Sequence, residues 1–377
     1  MGKKKDSLEL YFHIPFCIKK CDYCDFLSGP ATRAGQEAYI YALLREMKAA
    51  SAIEKRTVDT VFIGGGTPSV PECGIMEKLL QGIGKNFQLA ADAEVTIEAN
   101  PGTLTPEKLA LYRRYGINRI SIGLQSPENQ ELRALGRIHN YQQFLESYHM
   151  AREAGFSNIN IDLMFAIPGQ SYEGWIQNLR TVAKLGPEHI SAYSLIIEEG
   201  TPFSARKLDL PDEDTEYRMY EDVAAVLGKY GYYQYEISNY AKKDRNCRHN
   251  EGYWQRKDYL GLGLGAASLV GRERFTNTSD MSEYLENSGN LEKIRTDRET
   301  LTREDEMGEF MFLGLRMTKG VSKKDFQEYF GTSIEKIYGE VLEKYKKQGL
   351  LLEEDGRVCL SRAGIHVSNA VMADFLL

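Results

Sequence analysis

Short apolar, β-branched runs alternate along the first half of the chain with longer amphipathic stretches. The runs near residues 8–14, 58–63, 93–99, 118–124, 158–164 and 189–195 have the length and residue types of buried strands. Between them, apolar positions recur at helical spacing from Glu37 to Ala52, Pro106 to Tyr115, Tyr141 to Ala154 and Tyr172 to Leu185. This is the rhythm of βα units and predicts an α/β fold with a parallel sheet. Six units fall short of the eight of a closed barrel. Past Leu208 the alternation fades: 212–230 is predicted helical, and 232–270 is rich in Gly, Tyr and Asn.

Residues 303–377 read as three helices, a short strand pair around Asp355 and Gly356, and a last helix. That order resembles a small winged-helix module. The expected division is 1–207, a segment 208–302 covering it, and a C-terminal domain 303–377. Winged helices often read DNA, but the chain's acidity favours a packing or lid role.

Composition narrows the function. The 377 residues are 42% hydrophobic and 27% charged, as in an ordinary globular protein, and the net charge of −7 argues against a general nucleic-acid binder. Six cysteines in such a length are no disulfide framework. No apolar stretch approaches the length of a membrane span. A cytoplasmic, reducing compartment is expected.

The chemistry concentrates at Cys17, Cys21 and Cys24, a C-x3-C-x2-C cluster just after the first predicted strand. Thiolate-rich sets select zinc or iron–sulfur, and both usually take four ligands. Three close cysteines without an evident fourth suit a [4Fe–4S] cluster with one iron open; a chance cluster or a zinc site completed from elsewhere is the plainer reading. The flanking Tyr11, His13, Ile14, Pro15, Tyr23 and Phe26 weigh the balance toward the cluster. With them the run resembles the radical S-adenosylmethionine (AdoMet) superfamily, in the branch of the oxygen-independent coproporphyrinogen III oxidases and their relatives.

That resemblance implies an open (β/α)6 partial barrel, with functional residues at the carboxyl ends of strands. It implies a [4Fe–4S] cluster on the three cysteines and AdoMet on the open iron. By the same resemblance, Gly65, Gly66 and Thr67 after the second strand hold AdoMet's amino group, and Tyr11, Glu98, Gln125, Arg137 and Asp162 contact AdoMet. Ile196 matches a weaker position, and Tyr23, Gly66, Thr67 and Ile196 match positions able to serve a second AdoMet. Each has a plainer reading as a turn, capping or surface residue. The run Gly261 to Gly265 lacks the third glycine of a dinucleotide fingerprint and is read as a close-packed segment.

His249 begins H-N-x-x-Y-W, with Tyr253 and Trp254. An imidazole beside aromatic rings suits heme, although a lone histidine is more often structural. The motif resembles that of the heme-chaperone subfamily, so heme is the third expected cofactor, with His249 as its candidate ligand. Cys247, two residues earlier, is a second candidate soft ligand, with a plain cysteine the favoured reading. The oxidases carry a further cysteine where this chain has Phe26, and an N-terminal extension before the first strand. Both departures favour a heme carrier that passes heme to an acceptor protein over an oxidase decarboxylating coproporphyrinogen III. Radical chemistry on this or another tetrapyrrole, heme breakdown included, would need an electron donor.

Overall fold

The first strand, β1 (Ser7–Ile14), buries all of its residues except Ser7 and Tyr11. Such nearly continuous burial marks a parallel strand covered on both faces. The computed structural model describes residues 7–376. In it β1 is followed by α1 (Arg33–Ile53), β2 (Thr57–Gly65), α2 (Cys73–Asn86), β3 (Leu89–Ala99), α3 (Pro106–Arg114) and β4 (Arg119–Gln125). Then come α4 (Asn129–Ala134), α5 (Tyr141–Glu153), β5 (Ile159–Phe165), α6 (Tyr172–Leu185) and β6 (His189–Ser194). Each of the six expected strands is present within a few residues, and β1 to β6 pair in parallel in chain order.

Local chemistry sets the helix ends. Thr32 caps α1 by accepting from Gly35 N, Asn140 and Gln143 form a reciprocal capping box at α5, and Gly186 ends α6 in the left-handed region. The core between sheet and helices is built from residues such as Phe12, Ile63, Ile97, Ile122, Ile161 and Trp175.

The sheet is wider than six strands. After α7 (Glu213–Gly228), β7 (Tyr233–Glu236) and β8 (Asn239–Ala241) extend it beyond β6 in antiparallel fashion. Past α8 (Arg248–Trp254), β9 (Tyr259–Leu262) lies parallel to β1 on its other side. Then β10 (Ala267–Val270), β11 (Glu273–Asn277), α9 (Met281–Asn287), α10 (Leu291–Ile294) and β12 (Arg295–Thr300) complete that edge. The order β12-β11-β10-β9-β1-β2-β3-β4-β5-β6-β8-β7 describes one open sheet of twelve strands, not a closed barrel. The region that sequence pattern left irregular thus supplies both edges. The glycine run is close-packed as expected: a Cβ on Gly261 would lie 2.2 Å from the carbonyl oxygen of Ala267.

The last stretch comprises α11 (Arg303–Gly314), β13 (Val321–Ser322), α12 (Lys323–Phe330), α13 (Ile334–Lys347), β14 (Leu351–Glu354), β15 (Arg357–Leu360), α14 (Arg362–His366) and α15 (Ser368–Ala373). Three helices and a strand pair appear as expected. A third short strand, β13, and a divided final helix are additions. Met311, Phe326, Tyr338, Val358 and Phe375 form a core of their own here. This module is tied back by backbone bonds from Ile237 N to Arg316 O (3.1 Å) and Thr318 N to Tyr235 O (3.0 Å). Arg362 adds an ion pair with Glu221 (2.6 Å).

Candidate functional site

Beyond the end of β1 the chain closes a loop on itself. Cys17 N donates to Gly29 O (2.9 Å) and Gly29 N to Pro15 O (3.0 Å), so residues 17–28 project from a pinned base. Asp22 holds the middle of the loop: its N–H donates to Leu135 O, its carbonyl accepts from Phe203 N, and its carboxylate pairs with Arg206 at 2.6 Å. Cys17, Cys21 and Cys24 are all free and half-buried. Among the described residues, no three His, Cys, Asp or Glu side chains form a ready cage for a single ion. The three sulfurs share a loop, not a point.

The glycine loop after β2 continues the β1–β2 ladder beneath those cysteines. Gly66 N donates to Ile14 O (2.9 Å) and Thr67 N to Phe16 O (2.7 Å). Here glycine is required by space. A Cβ on Gly66 would stand 2.7 Å from Phe16 O, and one on Gly65, at φ 111°, would stand 2.6 Å from the His13 ring. Thr67 Oγ1 lies 3.6 Å from Cys17 Sγ and accepts from Asn100 Nδ2 at 2.7 Å. Asn100 Oδ1 accepts from Arg137 Nη2 (2.7 Å), which also donates to Gly123 O (2.6 Å). The circuit ends at Cys21, whose sulfur accepts from Arg137 Nη1 at 3.4 Å. Two cysteines are thereby joined through polar groups at the ends of β2, β3 and β4. Tyr23 packs on Phe203 with ring centres 6.5 Å apart, and burial, the largest influence, raises its phenol.

A cavity of about 240 Å³ opens beside this circuit, with Tyr11, Phe26, Gly65, Glu98, Arg119 and Asp162 in its wall. Glu98 Oε2 accepts from Gly65 N at 3.0 Å. Burial first, and the nearby Asp162 second, push the Glu98 carboxyl up to about 8. Asp162 accepts from Ser121 Oγ (3.0 Å) and Asn160 Nδ2 (2.7 Å), and burial raises its carboxyl too. Two half-buried acids thus face one cavity together with the buried Arg119 guanidinium. His13 Nε2 faces Leu27 O (2.8 Å) and therefore carries the proton, so Nδ1 accepts from Tyr11 OH (3.0 Å). Gln125 ends β4 at φ 69°, and Ile196, just past β6, is 67% exposed.

His249 is not at a surface. It is 1% exposed, with Nδ1 bonded to Thr60 Oγ1 (2.7 Å), Nε2 to Tyr253 OH (3.0 Å), and its ring stacked on Phe62. Burial, then Arg119 and Lys257, lower it to about 3, so the ring is neutral. The fold makes this candidate heme ligand the anchor of α8 on β2, the structural role that a lone histidine more often has. Glu94 fixes the same helix by accepting from Arg248 N and His249 N, both at 3.2 Å. Gly252 lets it settle closer still, since a Cβ there would strike the Glu9 carboxylate. Cys247 is buried and its thiol is pushed up to about 12, in keeping with a plain cysteine.

Asn100 and Thr60 went unrecognised in the sequence. Asn100 lies two residues past Glu98 at a strand end, which was a usable signal; nothing local marked Thr60. The donor set fits an iron–sulfur cluster: three free thiols on one loop, a guanidinium at one sulfur and a hydroxyl at another.

Comparison with known proteins agrees with this geometry. Residues 11–182 match the radical SAM superfamily, and residues 301–367 match the HemN C-terminal domain. The heme chaperone HemW of Lactococcus lactis subsp. lactis is 38% identical over 371 residues, covering 97% of each chain. HemW of Bacillus subtilis is 37% identical over 372 residues, 97% of this chain and 98% of that one. The structure of coproporphyrinogen III oxidase (HemN) from Escherichia coli superimposes with a TM-score of 0.88 at 23% identity, covering 99% of this chain and 91% of that one. That match establishes the shared fold.

Proposed function

This chain belongs to the radical SAM superfamily and, within it, to the family of the heme chaperones named HemW; from that premise we propose that it binds heme and hands it to an acceptor protein. The observation that carries the reading is the similarity to HemW proteins over nearly the whole length. Phe26 supports it, standing where the oxidases carry a further cysteine.

Cys17, Cys21 and Cys24 would hold three irons of a [4Fe–4S] cluster, leaving the fourth for AdoMet. When bound, the pair supplies one-electron reductive cleavage of a C–S bond, given an electron donor. Arg137 and Thr67 steady the cysteine sulfurs. Glu98 and Asp162, lining the cavity with Tyr11 and Gly65, would receive AdoMet's cationic groups. Tyr23, Gly66, Gln125 and Ile196 complete the proposed contacts. His249 serves heme from behind, by fixing the helix that carries Tyr253 and Trp254. The described residues include no helix long and apolar enough to cross a membrane, and the proposed setting is the cytoplasm.

The test is an anaerobic heme titration of the cluster-reconstituted protein, beside an assay with coproporphyrinogen III, AdoMet and reductant. Saturable uptake of about one heme per chain without decarboxylation is expected. Decarboxylation without heme uptake would replace the carrier with an oxidase.

A further inference from the structure

At the end of α8, Trp254 stands between residues of the twelve-stranded sheet and the C-terminal module. A cavity of about 380 Å³ lies at that junction, within the usual range for small-molecule sites. Its apolar walls are Trp254 from α8, Phe310 from α11, Tyr329 from α12 and Met317 from the turn between α11 and β13. Trp254 Nε1 is buried without a hydrogen-bond partner, and the Arg316 guanidinium lies over the indole at 4.4 Å.

The charged lining is lopsided. Arg256 is already engaged by Glu306 (3.3 Å) and Glu309 (2.8 Å). Lys319 has one long ion pair, 3.7 Å to Glu251, and its side chain is half exposed. Arg357 donates to the carbonyls of Lys319 (2.6 Å) and Gly320 (2.7 Å), and forms no ion pair among the described residues. Asp325 is the one acid in the lining, in the first turn of α12. A protein of net charge −7 thus presents two under-neutralised cations above an aromatic-walled slot. The chemistry complementary to that slot is a flat apolar ring system carrying carboxylates.

Resting on the heme-carrier reading, we propose that this cleft is the seat of the heme. The macrocycle lies against Trp254, Phe310 and Tyr329, and its two propionates meet Lys319 and Arg357. Met317 offers its thioether to the iron and is the only methionine, cysteine or histidine in the lining. A second cavity, of about 370 Å³, lies on the other side and shares Trp254 and Arg256 with the first. It also touches Tyr11, which lines the cavity of Glu98, so one wall runs from the cleft toward the cysteine loop.

The experiment is a hemin titration of the full-length, cluster-reconstituted protein, followed by absorbance. It is run on the wild type, Lys319→Glu and Arg357→Gln, each with hemin and with hemin dimethyl ester, whose propionates are blocked. Each variant is expected to bind hemin about tenfold more weakly and the ester within twofold of wild type. Hemin affinity unchanged in both variants overturns the cleft while leaving the carrier reading standing. A wild type that takes up neither porphyrin overturns the carrier reading itself. Met317→Leu, close in volume, should alter the absorption spectrum of the bound iron; an unaltered spectrum removes Met317 as its ligand.

Discussion

Arg137 points one nitrogen at the sulfur of Cys21, 3.4 Å away, and the other at Gly123 O and Asn100 Oδ1. One guanidinium therefore positions a cysteine and closes the polar circuit that reaches Cys17 through Thr67. Arg137→Ala would take a donor from three acceptors and should cost about 1–3 kcal/mol. It should also lower the iron and sulfide held per chain after reconstitution, with Arg137→Lys recovering part of it. Elemental analysis beside thermal unfolding checks this; full iron loading in the alanine variant would refute the positioning role.

The glycine loop predicts a contrast. Gly66→Ala drives a Cβ toward a backbone oxygen 2.7 Å away, and Gly65→Ala adds a strained φ. Each should destabilise by about 1–3 kcal/mol and disturb the cysteine loop. Gly84, inside α2 with open space around its missing Cβ, is the control: its alanine variant should gain about 0.5–1 kcal/mol. Denaturant unfolding of the three variants separates the cases.

The raised carboxyl of Glu98 gives stability a pH dependence. A group whose folded value, about 8, lies above its ordinary value of 4.5 favours the folded state fully below 4.5. That contribution is lost as pH climbs through 8, because the folded form holds a proton that the unfolded form has released. Without added AdoMet, Glu98→Gln should gain on the wild type across this interval, by up to a few kcal/mol, and the gain should level off above it. Unfolding midpoints from pH 5 to 9 provide the measurement. A gain independent of pH would mean that Glu98 ionises normally.

His249→Ala should act through α8. It removes the bonds to Thr60 and Tyr253 and leaves a cavity against Phe62, at a cost of about 2–4 kcal/mol. Heme affinity should fall while the spectrum of whatever iron remains bound stays that of the wild type. A changed spectrum would instead assign the imidazole to the iron.

What could be read from the sequence follows the range of the interactions. β1 to β6 announced themselves because each buries several closely spaced apolar residues, and the cysteine and glycine motifs because their residues are neighbours in the chain. The strands β7 to β12 are mostly three to five residues long; at that length no periodicity develops, and their place is set by partners far away. The burial of His249 is the same lesson at a single residue. Its Nδ1 partner, Thr60, is 189 positions distant, so the motif read locally gave no sign of that bond. Lys319 and Arg357 drew no notice because they come from different strands and turns, and only the fold makes them neighbours.

The place of β1 in the sheet bears on how the protein is made. Its two flanking strands are β2 and β9, the second beginning only at Tyr259. On a ribosome, Cys24 emerges 235 residues ahead of Tyr259, so one side of the supporting strand stays uncovered until β9 has been synthesised. Pairing across so long a separation is also slow. The strand that carries the cysteine loop is therefore flanked on both sides only after β9 has joined the sheet.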